Sequence, residues 1–323
     1  MTTTEQDSPA ELPDLKEAGD KPAGGKSTHP WLAAINDYIT LTKPPIILLL
    51  LVTAAGGMFL AQAQSAAGGL PSLGLMALVW LGGAMASGGA NALNHHYDRD
   101  IDGVMQRTRQ RPVASNRISP AKALIFGITL NVLAFAVLTV WVNWLAAVLT
   151  LAATLFYVLV YTRWLKRSTP HNIVIGGAAG AIPPMVGWAA VTGTVELPAV
   201  YLFALVFFWT PPHFWALSLL IQKDYERANV PMLSVVASRD FTVSTIFLYS
   251  LVMVGVTLMF ALTDAVSWIY SGSALVLGGI FVWMAWQLRQ SESAANAKKL
   301  YLFSLLYLGL LFVAVMVGAA TGY

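Results

Sequence analysis

Nine stretches of about 20 mostly apolar residues run through this sequence, and no other feature restricts its fold as strongly. An α-helix rises about 1.5 Å per residue, so roughly 20 residues cross the ~30 Å hydrocarbon layer of a bilayer. Read between polar breaks, the stretches cover approximately 44–64, 72–95, 121–140, 143–162, 172–193, 198–220, 242–262, 268–288 and 301–321. Hydrophobic residues are 57% of the 323 and charged residues 11%, against roughly 25% charged in soluble domains. A soluble domain of this length could not hide so much apolar surface. The expectation is an all-α membrane protein with nine transmembrane helices. With no cysteine in the chain, disulfides and thiolate-bound metals are excluded.

Residues 1–30 are polar, with Pro, Gly, Ser and scattered charges, and are expected to form a disordered cytoplasmic tail without an apolar signal core. Residues 31–323 are expected to form one polytopic domain. The breaks between spans alternate in character. Connections after spans one, three, five and seven are short and nearly uncharged. Those after spans two, four, six and eight, with the N-terminal segment, hold all 19 Lys and Arg residues. The positive-inside rule then places the N-terminus in the cytoplasm and the C-terminus on the opposite face. The basic pI near 9.0 therefore reflects topology. Short cationic clusters between apolar spans are not a nucleic-acid surface.

Small residues crowd two spans: Gly82, Gly83, Ser87, Gly88 and Gly89 in the second, and Gly176, Gly177 and Gly180 in the fifth. In lipid such residues let helix backbones approach closely, so a packing role is expected. Gly176–Gly180 lies inside an apolar span with no preceding strand and is not a phosphate loop.

The chemistry concentrates where span two ends. Asn94, Asp98 and Asp102 are spaced i, i+4 and i+8, so they line one face if the helix continues. Acids gathered beside a bilayer repel one another unless a cation joins them. Two carboxylates and an amide oxygen suit Mg²⁺, which pairs carboxylates with substrate phosphates. Arg107, Arg109 and Arg111 follow at alternate positions before Pro112, and arginine forks suit phosphate oxygens. Acids for a metal followed by arginines for phosphate form a diphosphate site. Lys223 and Asp224 recur in the corresponding connection four spans later. Two similar loops suggest two pseudo-repeated four-helix halves plus a ninth helix around a central cavity. Asp224 is expected to complete the metal shell and Lys223 to meet phosphate. In span six, adjacent Pro211 and Pro212 remove backbone donors just before His213. That histidine has a structural and a functional reading, which the spacing leaves open. Asn172 and the pair Pro183–Pro184 loosen span five in the same way.

The Asn94-x-x-x-Asp98-x-x-x-Asp102 pattern resembles the first aspartate-rich motif of the UbiA superfamily of intramembrane prenyltransferases. Longer stretches narrow the likeness to its haem O synthase branch, the protohaem IX farnesyltransferases. These are 107–112 (RTRQRP), 161–167 (YTRWLKR), 169–177 (TPHNIVIGG), 187–193 (GWAAVTG), 211–215 (PPHFW) and Lys223-Asp224-Tyr225. Ala228 stands where the wider superfamily carries a further Asp, as is usual in this branch. The resemblance implies a UbiA-like bundle in the bacterial inner membrane. It implies farnesyl transfer from farnesyl diphosphate to a vinyl group of haem B, giving haem O and diphosphate. The implied Mg²⁺ ligands are Asn94, Asp98, Asp102 and Asp224, with Arg107, Arg111 and Lys223 binding diphosphate. His213 is the expected haem contact, ahead of His95 and His96. The resemblance allows a haem A synthase or an oxidase-assembly factor as a protein partner. Two readings stand beside it: a quinone-precursor prenyltransferase, and a haem carrier or transporter without catalysis.

Overall fold

The structure is a computed structural model, and it describes residues 29–322. The tail expected over 1–30 lies almost wholly outside the described residues. Helix Pro30–Thr42 carries the boundary between two compact units, the second of which begins at Asp37 and contains every span. Nine described helices are long and apolar enough to cross a membrane: Pro44–Gln64, Leu73–Tyr97, Pro120–Trp141, Trp144–Ser168, Asn172–Thr192, Leu197–Leu220, Arg239–Ala261, Trp268–Ser291 and Ala294–Thr321. All nine expected spans are present, with the fourth and ninth longer at their charged ends.

Local chemistry starts most of these helices. Ser72, Ser119, Asn143, Ser238 and Ser293 each accept a hydrogen bond from the amide three residues on, satisfying donors that the first turn leaves open. Lys43 takes φ 54 immediately before Pro44 and Pro45, which turns the chain sharply from Pro30–Thr42 into the first span. Pro183 divides the fifth span into Asn172–Ala181 and Pro183–Thr192. Span six runs as helix through Pro211 and Pro212, although the carbonyls of Phe207 and Phe208 lose their amide partners there.

Consecutive spans pack side by side from first to eighth, the ninth packs on the eighth, and the ninth also closes against the first. The first span crosses the Pro183–Thr192 half of the fifth, and the sixth lies against the ninth. Trp188, Leu202, Leu205, Tyr270, Phe281, Tyr307 and Phe312 are fully buried between helices. Leucines such as Leu48, Leu275 and Leu302 are exposed on the outside, as suits lipid. Trp141, Trp144 and Trp268 are exposed near the uncharged ends, where indole rings favour the bilayer interface.

The glycines do what packing in lipid demands. A methyl at Gly57 would lie 2.9 Å from the Pro184 carbonyl carbon, and one at Gly187 would lie 2.8 Å from that of Ala54. Spans one and five thus cross backbone to backbone. Gly89 faces the Gly127 carbonyl of span three, Gly176 faces the Tyr161 ring and Gly177 faces Thr210. Overpacking a tight crossing costs about 1–3 kcal/mol or more. Gly187→Val should lower the thermal midpoint of the detergent-purified protein clearly, followed by size-exclusion after heating. Gly180→Ala, where nothing lies within 4 Å, should leave it unchanged.

Candidate active site

Span two delivers its polar end into the protein. Asn91, Asn94, His95, Asp98 and Asp102 are all buried, with Asp98 at 0% and Asp102 at 2% exposure. The helix stops at Tyr97, and a short helix Arg99–Val104 resumes after Asp98. The backbone nevertheless keeps helical bonds across the step: Asp98 N donates to Asn94 O at 2.8 Å and Asp102 N to Asp98 O at 2.7 Å. The three predicted side chains therefore stay on one face. Asn94 Nδ2 donates to Asp98 Oδ2 at 2.7 Å and to Thr162 Oγ1 at 3.2 Å.

Two buried carboxylates need cations, and four arrive from three other segments. Lys166 Nζ meets Asp98 Oδ2, and an Arg167 guanidinium nitrogen lies 3.6 Å from Asp98 Oδ1. Arg111 Nη1 donates to both oxygens of Asp102, at 2.8 and 3.0 Å. Lys43 Nζ donates to Asn94 Oδ1 at 2.9 Å. Arg167 also forks onto Asp100 at 2.7 and 2.8 Å.

The end of span four explains how Lys166 and Arg167 get there. Phe156–Leu165 winds as π-helix, whose wider turns rotate the following residues relative to an α-helical continuation. Tyr157 and Tyr161 on this segment stack at 5.6 Å. The sequence reading gave Lys43, Lys166 and Arg167 no role beyond topology. The sequence signals for them are the Lys43-Pro44-Pro45 run and the 161–167 stretch.

The field at this corner is set by burial. Burial pushes the Lys43 ammonium well below its usual range and the Arg111 guanidinium adds to this, while Asp102 and Asp98 oppose them. A buried ammonium beside a guanidinium favours a further anion. Asp100 is held down to about 2, chiefly by its hydrogen bond from Arg167. Its small surface contribution is therefore present above the ordinary carboxylate range and is lost as pH falls toward 2.

The other predicted residues fall elsewhere. Asp224 is buried, but its oxygens accept from the backbone amides of Gln106 and Arg107 at 3.2 and 3.1 Å, and from Arg227 at 3.2 Å. Lys223, Arg107 and Arg109 are exposed, in the connections after spans six and two. His213 Nδ1 lies 2.6 Å from Ser304 Oγ, and its ring stacks between Trp209 at 4.3 Å and Tyr301 at 5.0 Å. It thus belongs to the seam between spans six and nine. Both ring nitrogens of His95 are buried without a hydrogen-bond partner among the described residues, while His96 Nδ1 lies 2.8 Å from the Pro120 carbonyl.

Among the described residues no three acidic or histidine side chains converge into a metal cage. The donors present still suit a hard cation that shares its shell with a phosphate: two carboxylates and an amide oxygen, with Asp98 Oδ1 buried and accepting no hydrogen bond.

Comparison with known proteins shows the family and the fold. The model of the UbiA prenyltransferase family matches residues 49–320. The protoheme IX farnesyltransferase of Chloroflexus aurantiacus is 51% identical over 294 residues, which are 91% of this chain and 49% of that protein. Protoheme IX farnesyltransferase 1 of Saccharopolyspora erythraea is 51% identical over 288 residues, 88% of this chain and 90% of that one. The chain spans about half the length of the Chloroflexus relative and nearly all of the other. A solved UbiA homolog from Archaeoglobus fulgidus, bound to GPP and Mg²⁺, shares the fold with a TM-score of 0.66 at 18% identity. That likeness covers 87% of this chain and 99% of the homolog.

Removing one partner of a buried ion pair strands the other, at about 3–5 kcal/mol. Arg111→Met should therefore destabilise the protein by roughly that amount, and adding Asp102→Asn should recover most of the loss. Thermal unfolding in detergent measures both.

Proposed function

The chain belongs to the UbiA prenyltransferase family, and on that premise we propose that it transfers farnesyl from farnesyl diphosphate to a vinyl group of haem B, making haem O. The observation that carries the diphosphate half of this reading is the meeting of Asn94, Asp98 and Asp102 with Lys43, Lys166, Arg111 and Arg167 at one end of the bundle. The names of relatives about half identical to this chain supply the acceptor.

Asn94, Asp98 and Asp102 would hold Mg²⁺, which when bound supplies charge neutralisation for the departing diphosphate. The chain's own cations do the rest of that task. Arg111, Lys43 and Lys166 surround the seat, while Arg107 and Lys223 are exposed in the connections after spans two and six, within the same cationic end. Positive charge placed beforehand around the leaving oxygens lowers the cost of breaking the C1–O bond. That break gives diphosphate and an allylic farnesyl cation. The vinyl carbon of haem B attacks the cation, water adds to the carbon left positive beside the macrocycle, and loss of a proton gives the hydroxyethylfarnesyl group. Tyr157 and Tyr161 sit one turn from the site and offer ring faces to a cation. The apolar interior keeps bulk water from the cation until the vinyl group reacts.

His213 retains one ring nitrogen, Nε2, for a haem contact, because Ser304 occupies Nδ1. The placement is a bacterial inner membrane with the N-terminus cytoplasmic. It is supported by the confinement of Lys and Arg to one set of helix ends, where diphosphate and Mg²⁺ arrive from water.

Chromatography of haems extracted from cells overexpressing the chain should show a farnesylated haem peak. Asp98→Asn should remove that peak while the protein still inserts into the membrane; normal haem O formation by this variant would refute the seat. For His213→Ala, loss should be confined to the haem side, with farnesyl diphosphate affinity kept. Equal weakening of both substrates would assign His213 to the packing seam alone.

A further inference from the structure

The two acid-bearing connections look alike in sequence, but their carboxylates are engaged by different kinds of partner. Asp98 and Asp102 are met by side chains: Lys166, Arg167 and Arg111. Such partners swing away by rotamer changes and leave the oxygens free. Asp224 is met by backbone. Its Oδ2 accepts from Arg107 N at 3.1 Å, and its Oδ1 from Gln106 N at 3.2 Å and Arg227 Nη1 at 3.2 Å. A backbone amide cannot withdraw unless the loop moves with it. Carboxylate bonds to amide donors are charge-assisted and roughly twice as strong as neutral ones, and this carboxylate is buried at 8% exposure.

The loop is fastened at the same place by apolar contacts. Ile101 and Met105, just before the two amides, pack with Tyr225, Val230 and Met232 from the connection after span six. Asn229 at φ 51 turns that connection back, and Val230 N donates to Tyr225 O at 3.0 Å. Met105 in turn roots the turn that follows, since its carbonyl accepts from Thr108 N and Arg109 N at 3.1 and 3.0 Å. Arg107 and Arg111 emerge from this anchored segment.

We propose that Asp224 is a positioning residue and not a metal ligand: it clamps the backbone at Gln106–Arg107, and so sets the arginines of that loop over the diphosphate seat. The proposal rests on Arg107 and Arg111 being diphosphate-binding groups. Its carboxylate binds no substrate atom; it acts through the loop it holds.

The test uses the full-length protein in detergent, with farnesyl thiolodiphosphate as the unreactive ligand and Mn²⁺ as the metal. Asp224→Ala and the milder Asp224→Asn are compared with Asp98→Asn, and either Asp224 variant that elutes as a folded monodisperse protein suffices. In the Asp224 variants, hydrogen exchange across residues 105–109 should quicken at least tenfold, while Asp98→Asn leaves it unchanged. Thiolodiphosphate affinity should fall about tenfold, and Arg107→Ala should add little to that loss. The Mn²⁺ concentration giving half-maximal ligand binding should change less than threefold, but rise steeply for Asp98→Asn. Unchanged exchange across 105–109, or a Mn²⁺ requirement raised threefold or more, would overturn the proposal. Failure of the wild-type protein to bind the thiolodiphosphate at all would instead count against the prenyltransferase reading.

Discussion

Two carboxylates, Asp98 and Asp102, lie almost wholly out of water at the edge of an apolar bundle, and their need for positive charge organises this end of the molecule. Burial raises the cost of an ionised carboxyl, and a second one nearby raises it further. The chain answers with cations drawn from far apart in sequence: Lys43 before span one, Arg111 after span two, Lys166 and Arg167 at the end of span four. Two of these segments arrive through a specific backbone feature. Lys43 sits in a left-handed turn ahead of two prolines, and Lys166 follows π-helical turns. The left-handed Lys43 turn is a locally unfavourable conformation held by the surrounding fold, as is common at functional sites.

The fold supplies the rigidity that this corner requires. Spans one and five cross at glycines with backbone against backbone, so the segment bearing Lys43 is fixed relative to the bundle. Tyr161 packs on Gly176, which couples the π-helical turn to span five. Small residues concentrated in spans two and five thus do more than permit association in lipid. They hold the site-bearing helix ends at fixed separation, while leucines facing outward need only be apolar.

Much of this was legible in the sequence. Span number and approximate bounds follow from hydropathy, because every backbone group in hydrocarbon must be bonded within its own helix and only long apolar runs satisfy that. The Asn94–Asp98–Asp102 face was legible because helical bonds bridge the break at Asp98, and Arg111 was legible as an anion-binding group from its place in the loop. Lys166 was not. Its direction depends on ten residues of π-helix, and residue spacing alone assumes α-helical turns. Asp224 shows a second limit. Sequence gives the kind of side chain and its place in the topology, but not whether its oxygens face an open seat or the amides of a neighbouring loop. His213 shows a third: a histidine after two prolines in an apolar span leaves structural and functional readings open, and only the fold shows Trp209, Tyr301 and Ser304, two of them from span nine, around its ring.

The cations around Asp98 and Asp102 have a consequence for how ligands enter. Lys166, Arg167 and Arg111 each lie against a resident carboxylate and Lys43 against the Asn94 amide oxygen, and all four are of the type that binds phosphate oxygens. While the carboxylates stand alone, Lys166 and Arg111 are held by them and are weak diphosphate ligands. On the proposed reading, a hard cation that took over the two carboxylates would release Lys166 and Arg111 as a diphosphate brought oxygens to the same place, so metal and diphosphate would favour each other's binding by linkage. With both gone, Lys166 and Arg111 would again pair with the carboxylates. The same exchange would keep both carboxylates against cations at a membrane edge, where one left without any would be too costly to keep.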